Sequence, residues 1–218
     1  MEAIFNWDRM VRVTVCLWFF LLAAVVAGSI FTMIGTTTDG LGLARLFSKS
    51  CVFTFLVLIA WITIVRTQPS NRAEGWRPRV AAVLGTNMIF VGIMFLTPRA
   101  DLPIPLHLLS AALILVGNAF AVYTVLHLGR SFSIMAEARR LVTDGPYQII
   151  RHPLYFAEQL AFVGTGILYA SPLMGIMLVV HFTCQIRRML NEEAVLGKTF
   201  PEYADYKVRT ARLIPGIW

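Results

Sequence analysis

Charge is scarce in this 218-residue chain: 14% of its residues are charged against 57% hydrophobic. An ordinary soluble domain carries about a quarter charged residues, so that class is excluded. Cysteine is also scarce. Cys16, Cys51 and Cys184 lie far apart inside apolar blocks, which excludes a disulfide framework and leaves no metal-ligand spacing. They read as small buried hydrophobes. Internal repeats and low-complexity tracts are absent. No G-x-G-x-x-G follows a predicted strand, which excludes a soluble Rossmann-type enzyme. No basic face carries interleaved aromatics, so nucleic acid is not an expected partner.

What remains is apolar sequence in blocks of membrane-spanning length, with a mean hydropathy of +0.70. The expected fold class is all-α: a polytopic membrane protein of about six transmembrane helices, over residues 11–34, 50–65, 80–96, 106–126, 154–170 and 173–186. Residues 35–49 read as a Gly/Thr-rich loop, and 98–105, with three prolines, cannot be helix interior. The apolar core at 13–26 runs on to 34 behind Glu2 and Asp8, so a retained first span is expected rather than a cleaved signal. Ser171-Pro172 joins the last two runs, which read as a tight helical hairpin. The expected division is a three-span region over 1–105 and a catalytic region over 106–218.

Orientation follows from counting. Six spans put the N-terminus and residues 66–79, 127–152 and 187–218 on one side. Those regions hold 16 of the 19 basic residues, leaving Arg45, Lys49 and Arg99 opposite. The positive-inside rule places the basic side, and both termini, in the cytosol. It also explains most of the net charge of +7.

The longest polar interval, 128–155, reads LGRSFSIMAEARRLVTDGPYQIIRHPLY, and a second cluster, RRMLNEE, follows at 187–193. Pro153 suits the first position of a helix, where a missing N–H is harmless. Counting 16 residues back from Ser171 reaches Tyr155, and 16 forward reaches Arg187, so antiparallel helices of equal rise set these level. One interfacial pocket is expected, containing Tyr147, Arg151, His152, Tyr155, Arg187, Arg188, Glu192 and Glu193. Singly, each has an ordinary explanation: arginines and tyrosines anchor span ends, and Arg188 with Glu192 makes a plain i,i+4 pair. Their coincidence at one depth points to function. Glu158 and Gln159 lie one turn deeper, where a carboxyl is expensive and by default paired or functional.

These segments carry a resemblance. LVTDGPYQIIRHPLY, a turn at Pro172, RRMLNEE, then FPEYADY and RLIPG resemble the isoprenylcysteine carboxyl methyltransferase family of integral membrane enzymes, over about 128–216. The wider group includes phospholipid N-methyltransferases, and the C-terminal part of sterol reductases is similar. The resemblance implies S-adenosyl-L-methionine in a cytosol-facing pocket and a lipophilic acceptor taken from the bilayer. By position it implies Leu141, Val142, Tyr147, His152, Pro153, Tyr155, Glu192 and Glu193 around the methyl donor, with Glu193 the principal acid. Arg188 and Arg151 stand as the catalytic candidates: Arg188 for an acceptor carboxylate, Arg151 beside the helix N-terminus for the donor's carboxylate. The family's acceptor arginine lies four residues before its acidic residue. Counted from Glu193 that position is Met189, and counted from Glu192 it is Arg188. A family histidine before Leu-Val is Arg139 here. Carboxyl O-methylation of an isoprenylcysteine-like acceptor is the first expectation. Phospholipid N-methylation, an NADPH-dependent reductase and a non-catalytic membrane interaction protein follow.

Overall fold

Proline and its neighbours set the helix starts in this chain. The computed structural model describes residues 2–36, 40–99 and 101–218. Its elements are α1 (Glu2–Met33), α2 (Gly40–Val65), β1 (Asn71–Arg72), α3 (Trp76–Phe95), α4 (Ile104–Leu128), β2 (Glu137–Ala138), α5 (Pro153–Leu168), α6 (Pro172–Thr199) and α7 (Tyr203–Arg209). Single 3₁₀ turns lie at Gly129–Ser131 and Gly145–Gln148. Prolines sit in the first turns of α4, α5 and α6, where the unpaired N–H they lack is no loss. The Ser171 side chain caps α6 by accepting from the Met174 N–H at 3.2 Å.

Among the described residues, four helices are long and apolar enough to cross a membrane: Arg12–Met33, Gly42–Val65, Ile104–Ser131 and Pro172–Thr199. The chain is a multi-pass membrane protein. Four of the six expected spans thus have such a helix, and α3 and α5, over the other two, fall outside that set. α5 has 16 residues, or roughly 24 Å of rise, against a hydrocarbon core of about 30 Å. α3 begins among Arg77 and Arg79, which lowers its apolarity. The expected loop over 35–49 is shorter than read, because α2 starts at Gly40. The run Leu43-Ala44-Arg45-Leu46-Phe47 is good helix former and outweighs the glycines before it.

The last two helices are joined by a short turn but do not lie along one another as a tight hairpin. α5 packs chiefly on α4, and α6 chiefly on α3. The reason is a seam of small residues. A Cβ at Gly117 of α4 would stand 2.6 Å from the Ala161 nitrogen and 2.8 Å from the Ala157 oxygen of α5. In lipid, such close backbone approach is a main source of helix–helix attraction. Ser110 adds a hydrogen bond to the Gly164 carbonyl at 2.7 Å. The main apolar core, including Phe19, Leu56, Ile59, Ala121, Val125 and Ala157, joins α1, α2, α4 and α5.

The basic regions expected on one side do share one end of the bundle. β1 pairs antiparallel with β2, Asn71 opposite Ala138 and Arg72 opposite Glu137. Arg130 and Arg139 donate to the carbonyls of Val65 and Thr67, each at 2.8 Å. Arg12 donates to the Arg66 carbonyl at 3.3 Å. The tail joins them, with the Arg151 N–H donating to Ala211 at 2.8 Å. At the opposite end Arg45 meets His107 at 2.6 Å, and the Arg99 N–H donates to Leu168 at 2.9 Å.

Candidate functional site

The mouth of the site forms where α5 begins and α6 leaves its apolar stretch. Pro153 is the first residue of α5 and is buried, so His152 is held at the helix entrance with little freedom. The side chains of Tyr147, Arg151, His152, Tyr155, Arg188 and Glu192 line one small cavity of about 40 Å³, with Phe132, Ser133 and Glu137 closing it. Six of the eight residues expected in the pocket thus meet. Arg187, the seventh, is exposed on the outer face of α6, as a topological anchor should be. Glu193, the eighth, lies beneath.

The two adjacent glutamates do different things. Glu193 has 6% of its side chain exposed and Glu192 33%. Glu193 Oε1 accepts from Arg151 Nε at 3.0 Å, His152 Nε2 at 3.2 Å and Arg212 Nε at 2.9 Å, and its Oε2 accepts from Arg212 Nη2 at 2.9 Å. Three donors converge on Oε1 and one on Oε2, so most of this carboxylate's accepting capacity is taken. Glu193 is a clamp that ties the α5 entrance to the tail. Glu192 accepts from the Tyr155 hydroxyl at 3.0 Å and faces the cavity. Its Oε2 lies 3.9 Å from His152 Nδ1. The acid left open at the mouth is therefore Glu192.

Arg151 is likewise committed. Besides Glu193 it donates from Nη1 to the carbonyls of Lys207 (3.0 Å) and Thr210, at the end of α7. The Arg151 and His152 N–H groups, just before α5, donate to the Ala211 and Arg212 carbonyls at 2.8 and 3.1 Å. Arg151 thus ties the α5 entrance to the end of α7 while it also lines the mouth cavity. Arg212, which composition and spacing did not single out, is the other half of this clamp. Its hydrogen bonds to the Glu193 carboxylate push its guanidinium further above the usual arginine range, so it stays charged.

Arg188 is different. Its guanidinium carbon stands 4.8 Å from the centre of the Tyr155 ring. Its Nη1 donates to Gln185 Oε1 at 2.8 Å and lies 3.7 Å from Glu158 Oε2. Gln185 in turn donates to Glu158 at 2.6 Å. Glu158 is thus a paired carboxyl inside the bundle, as its depth requires. Arg188 Nε is buried with no hydrogen-bond partner.

Leu141 and Val142 do not line the cavity. Val142 is buried and Leu141 half-buried behind it. The Tyr147 carbonyl accepts from the Tyr206 hydroxyl at 2.7 Å, fixing the GPY turn. Burial, then the negative potential of Glu192, pushes the Tyr147 phenol well up, so it remains a donor. Among the described residues no cluster of three His, Cys, Asp or Glu could hold a metal ion.

With this geometry in place, the comparisons with known proteins are specific. Residues 105–203 match the family model described as phospholipid methyltransferase. The chain is 32% identical over 114 residues to the nickel-cobalt-cadmium resistance protein NccN of Alcaligenes xylosoxydans xylosoxydans, covering 50% of this chain and 53% of that one. It is 32% identical over 112 residues to protein-S-isoprenylcysteine O-methyltransferase B of Arabidopsis thaliana, covering 48% and 57%. The chain thus matches only about half the length of these curated relatives. A solved structure of the eukaryotic intramembrane Ras methyltransferase ICMT overlays 98% of this chain and 95% of its own, with 18% identity and a TM-score of 0.43. The C-terminal half of this chain is thus similar to membrane methyltransferases, in line with the resemblance read from GPY, RHPLY and NEE.

Proposed function

We propose that this chain is an S-adenosylmethionine-dependent membrane methyltransferase that acts on a lipophilic acceptor at the basic, cytosolic face. The observation that carries this reading is the placement of Arg188 and Glu192 on one turn of α6, both against Tyr155. The free acid is Glu192, and the arginine four residues before it is Arg188. In this reading the Arg-x-x-x-Glu frame is shifted by one residue from the position matched by Glu193.

The donor set suits the cofactor. Glu192 offers a partly exposed carboxylate for hydroxyl or ammonium groups, and the Tyr147 phenol lines the same wall. S-adenosylmethionine, when bound, supplies an electrophilic methyl group. The cavity of about 40 Å³ is smaller than a nucleoside. Entry of the donor therefore displaces the closing segment 131–137, the least helical wall of the site.

The chain's own residues have few tasks. Methyl transfer needs positioning and exclusion of water more than acid–base chemistry. Arg188, buried and stacked on Tyr155, is suited to orient an acceptor carboxylate and offset its desolvation. Glu158 and Gln185 hold that guanidinium. His152 and the Glu193 clamp keep Tyr155 and Glu192 in register. Carboxyl O-methylation of an isoprenylcysteine-like acceptor is the first reading, because the cation nearest the cavity is an arginine. Phospholipid N-methylation is the second, favoured by the family model that matches. Incubating the purified full chain with labelled donor and a panel of prenylcysteine, fatty-acid and phosphatidylethanolamine acceptors tests this. Label on the prenylcysteine carboxyl supports the first reading, and label on the amine alone replaces it with the second.

A further inference from the structure

A second, much larger cavity lies beside the mouth. It is a groove of about 540 Å³ between α1 and α3, walled on its third side by 134–137. Val15, Phe19, Val83, Ile134 and Met135 make it mostly apolar. Glu137 lines both the groove and the mouth cavity, and Arg188 Nη2 donates to the Ile134 carbonyl in the shared wall at 3.4 Å. One thin segment thus separates the two spaces.

Two features show that the groove is built to hold something with a charged end. The first is its rim. Arg72 and Arg79 are exposed there, and among the described residues neither has an acidic partner. The acid that lines the groove, Glu137, is neutralised by Arg139 at 2.7 Å and accepts from Ser133 at 2.7 Å. The groove therefore presents a net positive mouth to a ligand. The second is within the wall. Thr86 Oγ1 is buried there without a hydrogen-bond partner, although a helical threonine usually bonds back to its own helix. A buried hydroxyl left unpaired is costly and is satisfied by a polar atom entering the groove. Beside it, Trp18 Nε1 donates to Asn87 Oδ1 at 2.8 Å, tying α1 to α3 across the groove.

From this arrangement we infer that the α1–α3 groove binds, beside the transfer site, a single-chain amphiphile with an anionic head. The head sits on Arg72 and Arg79, and the chain lies along Val15, Phe19 and Val83. This does not depend on the methyltransferase reading. A volume of about 540 Å³ falls within the range of small-ligand sites and suits one chain rather than two. Two of its three walls come from residues 14–87, outside the matched segment 105–203. The groove thus belongs largely to the N-terminal half of this chain.

The test uses the full chain in nanodiscs and a 16-carbon fatty acid carrying a terminal photoreactive diazirine, with cross-links mapped by mass spectrometry. The expected labels fall on 15–19 and 83–87. Palmitate should block them, and hexadecanol should not. Joint Arg72→Ala and Arg79→Ala substitution should weaken labelling about tenfold or more, the equivalent of roughly 1.4 kcal/mol, and Thr86→Phe should obstruct it. In both variants the thermal shift given by S-adenosylhomocysteine should persist. Equal competition by hexadecanol, or undiminished labelling in the arginine variant, overturns the proposal. Stronger competition by phosphatidylglycerol than by palmitate replaces the single-chain occupant with a membrane lipid. If wild type shows no S-adenosylhomocysteine shift but labels as expected, the methyltransferase reading fails while the groove stands.

Discussion

The Tyr155 hydroxyl donates to Glu192 at 3.0 Å, across the gap between α5 and α6. Those helices share few direct contacts along their length, and at this end the junction combines these polar groups with the apolar packing of Tyr155, Phe156, Ile186, Met189 and Leu213. Tyr155 is held from below by Arg188 and beside it by His152, whose ring centre is 5.4 Å away. One carboxylate of the NEE segment closes the junction, and the other fastens it to the tail.

Removing the clamp should cost stability. Glu193→Ala leaves the Arg151 and Arg212 guanidiniums without their shared acceptor, and breaking a buried pair in this way typically costs about 3–5 kcal/mol. Arg212 keeps some exposure, which places the loss near 3. Thermal unfolding in detergent should show a clear fall for Glu193→Ala and little change for Glu192→Gln. Equal stability of the two would remove the distinction between the glutamates.

Arg188 and Arg187 should separate in function. Loss of a charge-assisted contact costs about 1.5–3 kcal/mol, or on the order of 10–100-fold in rate. Arg188→Ala should lower methyl transfer to a carboxylate acceptor by that factor while donor affinity, measured by calorimetry, stays close to wild type. Arg187→Ala, exposed on the outer face, should change neither. If Arg188→Ala weakens the donor as much as the turnover, the residue belongs to the donor wall.

The α4–α5 seam should tolerate no side chain. Gly117→Val places carbon where the α5 backbone already stands, and overpacking of this kind costs about 1–3 kcal/mol. Lower thermal stability together with a weakened donor-induced shift is expected, because α5 carries His152 and Tyr155. Wild-type stability in Gly117→Val would show that the two helices can part freely.

Orientation can be read with cysteines. In a background lacking Cys16, Cys51 and Cys184, Arg72→Cys should resist an impermeant thiol reagent in intact cells, and Asp101→Cys should react. The two residues lie at opposite ends of the bundle in the structure, so only the assignment of sides is at stake. The reverse pattern would put the site outside the cytosol.

Much of the site was legible because short-range rules governed it. Pro153 fixed the α5 start, and counting from Ser171 brought Tyr155 level with the Arg187-Arg188 pair, near the observed Arg188–Tyr155 stack. The choice between Glu192 and Glu193 was not legible. Neighbours on a helix point about 100° apart, and only the packed structure shows which one meets Arg151 and Arg212. Arg212 reaches the site by a return of the chain after α7, which no local periodicity encodes. The preference of α5 for α4 rests on Gly117 meeting Ala157 and Ala161, residues that look unremarkable in isolation. The start of α2 at Gly40 was hidden because glycines there read as loop.

The central claim is that Glu192, and not its neighbour, is the acid that holds the methyl donor at the mouth. Calorimetric titration of S-adenosylhomocysteine into the nanodisc-held full chain measures it directly. Wild type should bind, and Glu192→Gln, folded and of unchanged thermal stability, should bind about tenfold or more weakly, the equivalent of losing about 1.5–3 kcal/mol of charge-assisted hydrogen bonding. Hydrogen exchange at 131–137 should slow on binding in wild type only. Unchanged affinity in Glu192→Gln, or no binding by the wild-type chain, would contradict the account.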